Sequence, residues 1–282
     1  MCTLMGKGAA ATDPFLASTS DNPYSTRNFV VVETPEEGFR YIGTVVESLQ
    51  GHVPWNGLVS RGLNSQGFAF TYSYVEPAFV GVAPEVDPVL FSKRLIASCS
   101  STEDGIQYLT HGAPIGATGN YLLLDRTGTF AVVEVSTHGS AAVITDEAVR
   151  TNTWLAPKMP GYAHSIYSGE SSRIRLERAQ YLLRQASSAR EAPAILNDHE
   201  HRKDLEENYG ASICNHGLEN GTISSEIVIP MEGRFYYAYG RPCGSQSQSL
   251  ASWSGFQEFR LALTPDGPIT SIDGTFVDPA EV

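Results

Sequence analysis

Residues 1–23 read MCTLMGKGAAATDPFLASTSDNP, and the fold turns on how this stretch is read. Thr3 to Gly8 and Phe15 to Ser20 are short and poor in charge, and Ala11-Thr12-Asp13-Pro14 between them is turn chemistry, which predicts a β-hairpin. The turn lies midway between Cys2 and Asp21, so antiparallel pairing sets the start of the first strand beside the end of the second. Asp21 is therefore expected to face the amine of Cys2. A buried structural cysteine belongs inside an element, whereas trimming of Met1 would leave Cys2 as the first residue, its α-amine free.

Such a nucleophile carries its own general base, because an α-amine titrates near about 7.7 to 8.0, well below a lysine. A carboxylate at Asp21 would orient that amine and stabilise its protonated form during attack, as the acid of a triad does. The plain alternative is that Cys2 is accidental and Asp21-Asn22-Pro23 a simple turn.

Working outward, strand-like runs continue at Asn28 to Val32, Gly57 to Arg61 and Phe68 to Val75, the last two joined across Asn64-Ser65-Gln66-Gly67. Helical spacing appears over Pro88 to Cys99 and again after Ser101, with Asp104 completing a helix-start pair. A second hairpin is predicted from Asn120 to Asp125 and Phe130 to Val135 about the turn Arg126-Thr127-Gly128. The strongest helix signal starts near Ser171-Ser172 and puts Ile174, Leu176, Ala179, Leu182 and Leu183 on an apolar face. Later strands are expected at Ile223 to Ile229, Phe235 to Tyr239 and Phe259 to Leu263. Grouped strands separated by grouped helices predict an α+β fold with two antiparallel sheets and helices outside. Nothing repeats and no low-complexity linker divides the 282 residues, so 1–282 is read as one domain.

The net charge of -12, with no basic stretch interleaved by aromatics, argues against nucleic acid and anionic membrane as partners. No apolar run approaches about 20 residues and no basic-then-apolar leader opens the chain, which predicts a cytoplasmic protein. Cys2, Cys99, Cys214 and Cys243 lie far apart without CxxC spacing, and the last three read as buried thiols. Asn220-Gly221-Thr222 has the form of a glycosylation acceptor, of little weight without a secretory leader.

Cys2-Thr3, Gly62-Leu63-Asn64-Ser65-Gln66-Gly67-Phe68, Thr151-Asn152, Ser171-Ser172-Arg173 and Ile213-Cys214-Asn215-His216-Gly217 follow one another in an order that resembles a known family. They are similar to the signature positions of the linear-amide carbon–nitrogen hydrolases, amino-terminal-nucleophile (Ntn) enzymes that include penicillin acyltransferase-like proteins and are related to choloylglycine hydrolases and penicillin V acylases. The resemblance runs from Cys2 to about Cys243. It implies a four-layer αββα sandwich, a Cys2 nucleophile, Asp21 at the amine, Asn152 as oxyanion donor and Arg173 as a cation near the nucleophile. The backbone at Tyr74 is implied as the second oxyanion donor. No cofactor and no metal are implied, and relatives are commonly homo-oligomers.

Two departures matter. Bile-salt-type relatives carry an arginine three residues before the acid, where this chain has Ser18, so that cation is expected to be missing and a bile-salt substrate disfavoured. Penicillin acyltransferase-type enzymes release their cysteine by internal cleavage, whereas here removal of Met1 is expected to suffice.

Other signals weigh less. His199 and His201 in Asp198-His199-Glu200-His201 have no established zinc spacing. A papain-like pairing of Cys2 with His216 lacks that class's cysteine signature, and Asn215-His216-Gly217 reads as a turn packed near the sheets. Arg175 and Arg178 read as surface charge on the Ser171 helix, whereas Arg173 in its first turn opposes the helix dipole and so invites another purpose. Trp154 and Tyr162 are either cleft or packing aromatics. The expectation is an amidohydrolase acting on a small acylated amine through a thioester. An acyltransferase of the same mechanism and a catalytically silent scaffold are the alternatives.

Overall fold

The hairpin forms as β1 (Cys2–Lys7) and β2 (Phe15–Pro23), with Cys2 opposite Ser20 and Lys7 opposite Phe15. The structure, a computed structural model, describes residues 1–48, 56–75, 87–111, 118–136, 139–157, 159, 169–200, 211–217, 220–244, 255–263 and 275–276. Asp21-Asn22-Pro23 is therefore strand, not a turn, because β11 (Asn220–Ile229) pairs with β2 out to Pro23.

The hairpin lies inside a seven-stranded antiparallel sheet ordered β10 (Glu147–Arg150), β1, β2, β11, β12 (Arg234–Tyr239), β13 (Phe256–Arg260) and β14 (Thr275–Phe276). A second seven-stranded antiparallel sheet follows chain order: β3 (Thr26–Glu33), β4 (Tyr41–Ser48), β5 (Val59–Asn64), β6 (Phe68–Tyr74), β7 (Gly119–Asp125), β8 (Phe130–Ser136) and β9 (Gly139–Ile144).

Three apolar layers stack these sheets. Leu4, Leu16, Ile42, Leu63, Leu122 and Phe235 fill the space between them, each burial contributing about 1.5–3 kcal/mol. Helices α1 (Pro88–Ser98) and α2 (Thr102–His111) cover the outer face of the second sheet through Phe91, Leu95 and Leu109. Helices α3 (Gly169–Leu183) and α4 (Ala192–Leu196) cover the first through Ala179, Leu183 and Leu196. The result is the expected αββα sandwich.

The Asn64 to Phe68 turn shows why its sequence takes this form. Asn64 Oδ1 accepts from the amides of Gln66 and Phe68, while its Nδ2 donates to the carbonyls of Ile96 and Cys99 at 2.8 and 2.7 Å, tying the end of α1 to the sheet. Gly67 sits at φ +76°, and a Cβ there would lie 2.7 Å from Arg126. This motif is scaffold.

Elements absent from the sequence reading have weak patterns of their own. β9 is an exposed edge strand of small residues, β10 has four residues, and β4 is interrupted by Gly43. The last full strand is Phe256–Arg260 and not Phe259 to Leu263, because Phe256 and Glu258 alternate inward and Phe259 pairs with Phe235. Among the described residues no helix is long and apolar enough to cross a membrane.

Candidate active site

Cys2 begins β1 at the inter-sheet core and is 8% exposed. Its backbone N donates to Asn152 Oδ1 at 2.9 Å. Met1 lies level with Asp21: the Asp21 amide donates to the Met1 carbonyl at 2.6 Å, and the Met1 amine donates to the Asp21 carbonyl. Asp21 is fully buried. Its Oδ1 accepts from Thr222 Oγ1 at 2.7 Å, and its Oδ2 has no hydrogen-bond partner among the described residues. Burial pushes its carboxyl above the usual carboxylate range, against the pull of Arg175, the terminal amine, Thr222 and Arg61. The amino terminus is thus bonded to the backbone of Asp21 and acts on its carboxyl by charge.

Asn152 sits in a loop after β10 held from several sides. Its Nδ2 donates to the Tyr74 carbonyl at 2.8 Å, and its amide to Ser172 Oγ at 3.0 Å. Ser172 Oγ also lies 2.7 Å from Thr151 Oγ1, and Asn120 Nδ2 donates to the Thr151 carbonyl at 2.9 Å. Glu134 takes the amides of Leu155 and Ala156 and the Nε of Arg150. The Asn152 amide group is fixed before any substrate arrives. Tyr74 contributes its carbonyl here, and its side chain is exposed.

The arginine at Cys2 is Arg175, not Arg173. Arg173 is 59% exposed and pairs with Glu177 one turn along α3. Two residues on, a helix has turned about 200°, so Arg175 falls on the opposite, buried face with Ser172, Ala179 and Leu183. Arg175 Nη1 donates to the Cys2 carbonyl at 2.6 Å and to Thr3 Oγ1 at 3.0 Å, while Nη2 donates to Asn152 Oδ1 at 3.0 Å. The dipole cost assigned to Arg173 is offset by Glu177, and the surface-charge reading of Arg175 fails. The buried face of the helix was the available signal, since Arg175 lies three residues from Ser172 and four from Ala179.

A second guanidinium approaches from the facing sheet. Arg61 on β5 is 1% exposed, donates from Nε to Ser18 Oγ at 3.1 Å and from Nη2 to the Thr19 carbonyl at 3.1 Å, and pairs with fully buried Glu226 at 3.2 Å. Burial opposes its charge, yet Cys2, by charge and hydrogen bond, together with Glu226 and Asp21, holds it above the ordinary arginine range. For Arg175 burial wins, lowering it despite Asp21 and Cys2. Arg61 therefore brings a cation within hydrogen-bond reach of Ser18, the position where the sequence itself carries none. A charge inside a strand covered on both faces was its only sequence signal.

A cleft of about 560 Å³ is lined by Tyr24, Thr26, Thr222, Tyr239 and Arg241 among others; its lining does not include Cys2, Asp21 or Asn152, and it is linked to Asp21 through the hydroxyl of Thr222. Trp154 packs with Val75 and Met159, while Tyr162 and His201 lie outside the described residues. His199 and His216 meet each other away from any contact with Cys2 among those described, and the four cysteines are buried with no disulfide among the described residues.

Two stacked antiparallel sheets with helices on both outer faces, and Cys2 at the space between them, give the fold of the Ntn hydrolases. The model of the family acyl-coenzyme A:6-aminopenicillanic acid acyl-transferase matches residues 9–227, and the chain belongs to that family. Among solved structures it is similar to a mutant conjugated bile acid hydrolase from Clostridium perfringens, at 13% identity and TM-score 0.56 over 99% of this chain and 98% of that one. Another variant of that hydrolase aligns at 13% identity and TM-score 0.50 over 98% and 97%. A penicillin V acylase from Agrobacterium tumefaciens aligns at 13% identity and TM-score 0.46 over 92% and 91%. No curated protein matches the chain by sequence.

Proposed function

We propose that this protein is a cysteine Ntn amidohydrolase or acyltransferase that cleaves a linear amide of a small acylated amine. The observation that carries the reading is the meeting of the Cys2 backbone N and Arg175 on one atom, Asn152 Oδ1, beside Asp21. Cleavage of the Met1–Cys2 bond frees the amine. The Cys2 thiol passes its proton to that amine while its sulfur bonds to the substrate carbonyl. Asn152 Nδ2 and backbone amide near Tyr74 hold the oxyanion. Collapse breaks the C–N bond, the ammonium returns the proton to the departing amine, and a thioester remains. Arg61 and Arg175 favour the developing negative charge. Asp21 keeps the amine oriented.

Water then releases a carboxylic acid, or a second amine takes the acyl group, as the family's name describes for its namesake. The cleft that shares Thr222 with Asp21 falls in the size range of small-molecule sites, about 300–1,000 Å³, and is our assignment for the part of the substrate remote from the scissile bond. The test is a panel of N-acyl amides with hydroxylamine added. The reading expects hydroxamate formation that Cys2→Ala abolishes; turnover that survives Cys2→Ala in a folded protein would remove it.

A further inference from the structure

Among the described residues, four donors gathered outside the candidate active site form a second centre. His199 follows α4, Cys214 and His216 stand in the loop before β11, and Cys243 lies in the turn after β12. Their ligand atoms all lie within 4.8 Å of one another, and Cys214, His216 and Cys243 are buried. His216 Nε2 stands 3.0 Å from His199 Nε2, 3.4 Å from Cys214 Sγ and 3.2 Å from Cys243 Sγ. A ring nitrogen carries one proton or one lone pair, so hydrogen bonding accounts for one of these three approaches.

A tetrahedral cation accounts for all of them together. With Zn–N near about 2.0–2.1 Å and Zn–S near about 2.3 Å, the edges of a Cys₂His₂ tetrahedron run about 3.3–3.8 Å. The three separations at His216 bracket the short end of that range, and all pairs of ligand atoms fall within 4.8 Å. Two imidazoles and two thiols are also the donor set that suits zinc, and four protein ligands leave no open position for chemistry. The surrounding backbone is set in place: the Cys214 amide donates to the Asp198 carbonyl at 3.0 Å, Ser212 Oγ donates to the Cys214 carbonyl at 2.7 Å, and Arg178 clamps the Asp198 carboxylate.

We propose that His199, Cys214, His216 and Cys243 bind one structural zinc ion. On binding, each thiol gives its proton to solvent and both imidazoles coordinate in the neutral form. The ion joins three separate segments, and one of them leads to the active site. Asn215, between two ligands, exchanges backbone and side-chain hydrogen bonds with Thr222, and Thr222 Oγ1 donates to Asp21. Arg241 and Gly244, flanking Cys243, line the cleft. The zinc thus fastens the cleft wall and the support of Asp21 without touching substrate.

The site stands independently of the amidohydrolase reading, because its first readouts are metal content and spectrum. Untagged full-length protein, expressed with added zinc and gel-filtered, is expected to carry one zinc per chain by mass-spectrometric metal analysis. After chelation and reconstitution with cobalt(II), it is expected to show the intense visible bands of a tetrahedral site and a thiolate-to-metal charge-transfer band. Cys243→Ser loses both, and Cys243→His, which keeps four donors, retains metal. Folded protein that remains metal-free after zinc exposure would overturn the proposal, as would a mass two hydrogens lighter that maps to a Cys214–Cys243 disulfide.

Discussion

Arg175 Nη2 and the backbone N of Cys2 converge on a single acceptor, Asn152 Oδ1, at 3.0 and 2.9 Å. That shared atom fixes the orientation of the Asn152 amide: with Oδ1 taken by two donors, Nδ2 must point the other way, toward the Tyr74 carbonyl. The helix that carries Arg175 therefore sets both the strand of Cys2, the proposed nucleophile, and the proposed oxyanion donor.

Arg175→Ala is predicted to lower kcat/KM by about 10²-fold, because it releases Asn152 and the Cys2 carbonyl together. Arg173→Ala, which removes only an exposed pair with Glu177, is predicted to change stability by no more than about 0.5 kcal/mol and leave turnover intact. Side-by-side kinetics of the two variants check the assignment. Equal loss in both would contradict it.

Arg61 and Glu226 are both buried, so removing one partner strands the other. Arg61→Met is predicted to destabilise by about 3–5 kcal/mol, while the double change Arg61→Met, Glu226→Leu recovers most of that loss. Activity is not expected to return with stability, because the cation near Cys2 is gone. Denaturant unfolding and steady-state rates on the same preparations separate the two effects.

Burial raises the Asp21 carboxyl above 3.8, so the charged form is disfavoured in the folded state. Its favourable contribution is therefore present below that value and lost as pH rises through the folded pKa. Asp21→Asn is predicted to gain stability relative to the parent as pH rises through that window, and to lose activity at every pH. Thermal unfolding of both proteins across a pH series tests the sign: an Asp21→Asn variant that loses stability relative to the parent as pH rises would contradict it.

Ser172 Oγ joins the start of α3 to the loop that carries Asn152. Ser172→Ala is predicted to cost about 1–3 kcal/mol and to reduce kcat more than it changes KM, because the loop positions a transition-state donor. A rise in KM alone would assign the loop to substrate binding instead.

The amino-terminal hairpin was legible because its turn chemistry and low charge mark a strand pair, and its midpoint set Asp21 near the chain start. Strands with dense apolar character, such as Tyr121 to Leu124 and Ile227 to Ile229, were legible for the same local reason. β9 and β10 were not, since edge strands of small or few residues take their pairing from neighbours. At the candidate site, Asp21 came from the hairpin's spacing and Asn152 from motif order, while the arginine that meets Cys2 lies two residues beyond Arg173, on the other face of the helix. Arg61 and the His199, Cys214, His216 and Cys243 cluster depend on contacts between segments far apart in the chain. Sequence spacing holds no record of those.

The central claim is that Cys2 works as an amino-terminal nucleophile. Its most direct test is the intact mass of the purified protein before and after brief iodoacetamide treatment, with the modified peptide mapped. The account predicts loss of Met1 and alkylation at Cys2 ahead of buried Cys99, Cys214 and Cys243. Retention of Met1 in catalytically active protein, or a Cys2 that stays unmodified while another cysteine reacts, would contradict it.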